Sequence, residues 1–146
     1  TADGVFAEKS ELKAIGGINA ENFPDIVPVL SLACALAEGT SRIYGIERLR
    51  YKECDRVEAV MALISNLGGK ISLTDNSLVI EGTGALCGGV VDSFNDHRIA
   101  MTASVASLAC KGEVTIKDPW CINKSYPDFY EDLLSTGGVM YEWNMG

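Results

Sequence analysis

Apolar positions in this chain fall into helical spacing in four places, with short alternating runs between them. In ECDRVEAVMALISNLGG, residues 53–69, Val57, Val60, Met61, Ile64 and Leu67 keep one helical face and the run ends on Gly68 and Gly69. A helix stopped at those glycines is expected. PDIVPVLSLACALAEG, residues 24–39, reads as a helix stopped at Gly39, and NDHRIAMTASVASLACKG, residues 95–112, as one ending near Gly112. A fourth helix is expected over YPDFYEDLLSTGG, residues 126–138. Strands are expected at 5–8, 41–46, 88–92, 113–118 and 139–143. KISLT and SLVIE, within 70–81, should form a hairpin turning on Asp75 and Asn76.

The order is β-α-β-α-β-β and then a restart. ALAEGTSRI at 35–43 is echoed by SLACKGEVTI at 107–116, and NLGG by STGG, which supports an internal repeat. The stretches 26–37 and 99–110 are apolar or small on every side, as in a helix buried all round. Ile71 and Leu73 alternate with Lys70, Ser72 and Thr74, as in a sheet with one wet face. The fold class expected is therefore α/β (α+β): repeated βαβαββ units whose buried helices are covered by mixed sheets.

Composition narrows the class. The chain has 146 residues, 47% hydrophobic and 22% charged, enough for one globular core. Its formal charge of −8 argues against a nucleic-acid surface. Five cysteines without CxxC spacing and a single histidine, His97, argue against zinc, and the expectation is no metal and a reducing, cytoplasmic setting. The opening TADGVF, without a start methionine, suggests part of a longer protein.

Against the acidic background, RLRYKECDR, residues 48–56, holds four of the chain's twelve basic residues, Arg48, Arg50, Lys52 and Arg56. Helix starts favour acids, and Asp25, Asp55, Asp96 and Asp128 obey that rule. Yet Lys52 and Arg56 flank the second helix start, His97 and Arg98 open the third, and Lys124 precedes the fourth. Cations at the positive end of helices cost stability unless an anion binds there, and free helix amides beside a cation make such a site. Each residue alone has an ordinary reading: a solvated charge run, a cap, a structural histidine. The recurrence at three helix starts favours an anion site. Glu53 either neutralises Lys52 and Arg56 or exchanges a proton with a bound substrate.

Four ordered segments carry a family resemblance. RLRYKECDR is similar to the R-x-K-E-[ST]-D-R segment of the 5-enolpyruvylshikimate-3-phosphate (EPSP) synthases, FNDHRIAM (94–101) to N-D-H-R-[IM]-A-M, NKSYPDFYEDL (123–133) to K-[ST]-[FY]-P-x-F, and FPDIVPVLSLACALAEGTSRI (23–43) to the P-D-x-x-P helix and the strand after it. The resemblance implies transfer of the enolpyruvyl group of phosphoenolpyruvate to the 5-hydroxyl of shikimate 3-phosphate, releasing phosphate, with no cofactor. It implies Asp25 as the base for that hydroxyl and a contact to shikimate 3-phosphate. Lys52 would contact shikimate 3-phosphate, and Glu53 would handle protons at the methylene carbon. Arg56, Arg98 and Lys124 would hold phosphoenolpyruvate, with His97 lining its site. Asp55 and Asp96 would orient the arginines.

Family members are about three times longer, so the resemblance also implies a partial C-terminal domain, with one unit over 1–82 and most of a second over 88–143. The N-terminal domain would supply the rest of the site, and the fragment alone would be inactive. The segment departs from the pattern at Cys54, where Ser or Thr is usual, and Arg48 and Arg50 receive no assignment. Two rival readings are an enolpyruvyl transferase acting on UDP-N-acetylglucosamine and a non-catalytic βαβαββ module that contacts RNA.

Overall fold

The computed structural model describes residues 4–142. It contains strands β1 (Gly16–Asn19), β2 (Glu38–Tyr44), β3 (Lys70–Thr74), β4 (Ser77–Thr83), β5 (Gly89–Asp92) and β6 (Val114–Lys117). The helices are α1 (Val27–Leu36), α2 (Arg56–Asn66), α3 (His97–Ser107) and α4 (Phe129–Ser135). Three 3-10 turns, Pro24–Ile26, Glu47–Tyr51 and Pro119–Lys124, precede α1, α2 and α4.

Four strands form one sheet in the order β1-β2-β4-β3, with β1 parallel to β2 and the remaining pairs antiparallel. A second, parallel pair joins β5 to β6. α1 lies against β4 and α2 against β3, while α2 and α3 meet β5 and β6 respectively. Helices thus stand between a mixed four-stranded sheet and a parallel pair of strands, as their apolar faces require. The centre is built from Val27, Leu32, Ile43, Leu63, Ile64, Leu78 and Ile80, all 3% exposed or less. On α2 the expected face is buried at Val57, Val60, Ile64 and Leu67, with Met61 partly covered.

Local signals explain most boundaries. The Asp55 side chain accepts from the backbone N–H of Val57 (3.0 Å) and Glu58 (3.3 Å), so α2 begins at Arg56, three residues later than its apolar pattern suggests. It ends at Asn66, and Gly68 just beyond it, with a φ of +83°, turns the chain away. Asp75 and Asn76 both take left-handed angles, 46° and 51°, and close the expected hairpin.

Four expectations need correction. The first strand lies at 16–19, not at 5–8, because Gly16–Asn19 finds a parallel partner in Ser41–Tyr44 whereas Val5 and Phe6 are left in solvent. The helix expected over 24–39 is divided into a 3-10 turn and α1, and it stops at Ala37, so Gly39 belongs to β2 and pairs with Gly82. Residues 139–142 form no strand, and position 143 lies outside the described residues. Finally, α1 and α3 are not buried all round. Val29 and Val105 are 46% and 39% exposed and face a shallow hollow of about 110 Å³ shared with Asp25, Arg98, Met101 and Thr102. Among the described residues nothing covers that side.

Candidate functional site

The helix starts converge. Asp25 comes from the turn before α1, Lys52 and Glu53 from the loop before α2, Arg56 from its first turn, and Asp96 and Arg98 from the start of α3. Residues up to 73 positions apart in sequence meet in one ion-pair network. Buried Leu49 pins RLRYKECDR to the core, and Arg50 turns aside to Asp55 at 2.9 Å. Arg48 is exposed.

Arg56 is the hub. Its side chain is 0% exposed, yet it carries a guanidinium into the interior. Nε donates to Asp96 Oδ2 at 2.7 Å, Nη1 to Asp25 Oδ1 at 2.7 Å, and Nη2 to Glu53 Oε2 at 2.6 Å and Asp96 Oδ1 at 3.3 Å. A buried charge of this kind persists only when paired and hydrogen-bonded, and Asp96, also 0% exposed, supplies a two-pronged partner. Asp96 also caps α3, accepting from Arg98 N at 2.9 Å. One carboxylate therefore sets both the helix start and the arginine.

Asp25 is the outward counterpart. Its Oδ1 meets Lys52 Nζ at 3.2 Å as well as Arg56, and its Oδ2 stands 3.5 Å from Arg98 Nη2. Arg98 Nη1 also donates to the Asp25 carbonyl at 3.4 Å. The hydrogen bond from Arg56 pulls the Asp25 carboxyl below its ordinary value. Burial opposes this, and Lys52 and Arg98 add to the pull. At Asp96 burial pushes the carboxyl up, but the hydrogen bonds from Arg56 and the Arg98 amide, with the Arg56 charge, outweigh it and the net direction is down.

Three acids (Asp25, Glu53, Asp96) thus face three bases (Lys52, Arg56, Arg98). The balance tells which contacts are open to a ligand. Asp25 and Glu53, with side chains 45% and 39% exposed, stand between Arg56 and solvent. An arriving carboxylate or phosphate reaches Arg56 by replacing them, whereas Lys52 and Arg98 are already partly accessible.

Two expected residues sit apart. Lys124, at the end of the turn before α4, donates to Asn95 Oδ1 (3.2 Å) and Asn95 O (3.4 Å), one residue from Asp96. His97 is nearly buried at the start of α3. Its Nδ1 lies 4.0 Å from Asp96 Oδ1 and has no hydrogen-bond partner among the described residues. Sequence reasoning did not foresee two contacts: the Cys54 thiol on Asp96 Oδ2 at 3.7 Å, and Asn95 beneath Lys124. The polar residue usual at position 54 was a readable signal for the first. For the second, the left-handed φ of 54° at Asn95 has no signature beyond the residue type itself. Among the described residues no cluster of metal-ligating side chains occurs, and no helix is long and apolar enough to cross a membrane.

A family model described as EPSP synthase (3-phosphoshikimate 1-carboxyvinyltransferase) matches residues 1–133. A 3-phosphoshikimate 1-carboxyvinyltransferase of Clostridium novyi (strain NT) is 44% identical over 144 residues, covering 99% of this chain and 33% of that protein. One of Clostridium beijerinckii is 49% identical over 130 residues, covering 88% of this chain and 30% of that protein. Among solved structures, an EPSP synthase from Acinetobacter baumannii superposes with a TM-score of 0.76 at 31% identity, covering 88% of this chain and 32% of that one. The chain spans about a third of the length of the relatives it matches.

Proposed function

The chain belongs to the EPSP synthase family, and from that premise we propose that it supplies one half of an active site transferring the enolpyruvyl group of phosphoenolpyruvate to the 5-hydroxyl of shikimate 3-phosphate. The observation that supports this most is the convergence of Asp25, Glu53, Lys52, Arg56 and Arg98 from three helix starts on one partly open spot. Such a spot suits anions on the cationic side and proton transfer on the carboxylate side.

Arg98 and Lys124 take the charged groups of phosphoenolpyruvate, joined by Arg56 once the ligand displaces Glu53 or Asp25 from its outer nitrogens. Lys52 faces the phosphorylated acceptor, and His97 lines the phosphoenolpyruvate side. Asp25 accepts the proton of the acceptor hydroxyl as its oxygen bonds to C2 of phosphoenolpyruvate. Glu53 gives a proton to the C3 methylene, then takes one back as the C–O bond to phosphate breaks. In the ligand-free chain Glu53 is a carboxylate paired with Arg56 Nη2, so it takes up a proton from solvent as the incoming anion displaces it, and only then donates. Asp25, held low by cations, is a weak base in the ligand-free chain, but two anionic substrates on Lys52 and Arg98 cancel that pull and raise its proton affinity during binding.

The whole-protein activity belongs to a longer chain. Residues 1–82 are one unit and 88–143 most of a second in a partial C-terminal domain, acting in the cytoplasm, and the remaining length of the enzyme completes the site. The test is turnover by the full-length protein carrying this chain, with shikimate 3-phosphate and UDP-N-acetylglucosamine offered as competing acceptors. Phosphate release is expected only with shikimate 3-phosphate, and none from the 146-residue chain alone. Release with the sugar nucleotide instead, or turnover by the isolated chain, would overturn the proposal in its respective part.

A further inference from the structure

Asp96 holds the Arg56 guanidinium and the backbone amide of Arg98, and one of its donors has no part in the chemistry so far assigned. Oδ1 accepts from Arg98 N (2.9 Å) and Arg56 Nη2 (3.3 Å); Oδ2 accepts from Arg56 Nε (2.7 Å) and Cys54 Sγ (3.7 Å). Four donors from three residues meet at this carboxylate. Cys54 is the only side-chain donor among them that is not an arginine, and the only one that approaches from the loop before α2.

We propose that Cys54 is a positioning residue: its thiol, by donating to Asp96 Oδ2, fixes the carboxylate orientation that aims Arg56 and Arg98 at the anion. The reach of this role into ligand binding rests on the reading of those arginines as phosphoenolpyruvate contacts; the contact itself does not. Geometry explains why a single weak donor matters here. Arg56 binds Asp96 through both oxygens, so a twist of the carboxylate disturbs both of those bonds. The same twist moves the oxygen that caps Arg98 N. The thiol stands on the Oδ2 side and opposes the twist. It also remains a donor at neutral pH, since burial first, and then the Asp96 charge, push its pKa up to about 12. The site accordingly uses Cys54 as a neutral hydrogen-bond donor. It does not use it as a nucleophile, which requires the thiolate.

The test compares Cys54→Ala and Cys54→Ser in the 146-residue chain. Hydrogen exchange at Arg56 Nε–H, read by NMR, reports the Asp96 contact without any ligand. Titration with phosphoenolpyruvate reports its consequence. Alanine is expected to speed the exchange about fivefold and to weaken binding about threefold, the scale of one modest hydrogen bond. Serine is expected to restore both to within about twofold, because a hydroxyl donates as a thiol does. In the wild-type chain a Cys54 S–H stretching band in the hydrogen-bonded region, assigned by its absence in Cys54→Ala, is an independent expected result, and a band at the free-thiol position would count against the contact. If alanine leaves the exchange unchanged, or if serine fails as alanine does, the thiol is a space-filling bystander and the inference falls. Should phosphoenolpyruvate fail to bind the wild-type chain, the functional reading fails, and the Arg56 exchange still decides the role of Cys54.

Discussion

Replacing Arg56 with methionine is expected to cost about 3–5 kcal/mol of stability, because it strips the buried Asp96 of its charged partner and leaves a carboxylate in the interior. Methionine keeps most of the volume, so the loss reports charge more than packing. The pH dependence should also change sign. In the wild type, Asp25 and Asp96 have carboxyls depressed below an ordinary value of 3.8. Groups depressed on folding contribute stability above their unfolded pKa and lose it as pH falls through the folded value. Urea midpoints of the wild type should therefore stay flat from neutral pH down to about 5 and fall below about 4. In Arg56→Met, burial of Asp96 is no longer offset. Its folded pKa rises above the unfolded one, and acidification from neutral toward about 5 should recover part of the lost stability. A methionine variant within about 1 kcal/mol of wild type, with an unchanged pH profile, would mean that Arg56 is not the structural hub.

The second large effect concerns turnover. Asp25→Asn in the full-length protein is expected to lower kcat by about two to four orders of magnitude, the usual contribution of a positioned base. The amide keeps the size and one hydrogen-bond acceptor for Arg56 and Lys52, so the network should stay assembled. Removing a negative charge from between Lys52, Arg56 and Arg98 leaves three bases facing two acids. The KM for phosphoenolpyruvate should then stay level or fall. A rise in KM with kcat preserved would show that Asp25 serves only to arrange the cations.

Much of this site was readable from residue order, and the reasons are local. Asp55, Asp96 and the glycines at 68 and 69 mark helix ends by chemistry that needs no tertiary contact. The bases at those helix starts were visible as a departure from the macrodipole preference. What the sequence leaves open is who pairs with whom. Arg56 was legible as a cation for an anionic ligand, but its burial beneath Asp25, Glu53 and Asp96 depends on α1, α2 and α3 meeting at one end. The strand at 16–19 was missed because GGIN has little strand character of its own. It becomes one only beside β2. Val29 and Val105 match a fully buried helix pattern but border an open hollow, since an apolar residue states a preference and not a partner. Lys124 follows the motif, whereas its bond to Asn95 follows from the left-handed turn before Asp96.

The central claim is that these helix starts form an anion half-site, and titration of the chain with phosphoenolpyruvate, followed at the side-chain N–H signals of Arg56 and Arg98, tests it most directly. The account predicts saturable shifts at both arginines, with a Kd on the order of 1 mM for a half-site, weakened by added salt. Arginine signals that stay fixed up to saturating phosphoenolpyruvate, with the ion pairs to Asp25, Glu53 and Asp96 intact, would contradict it and leave the cluster as a buried structural network.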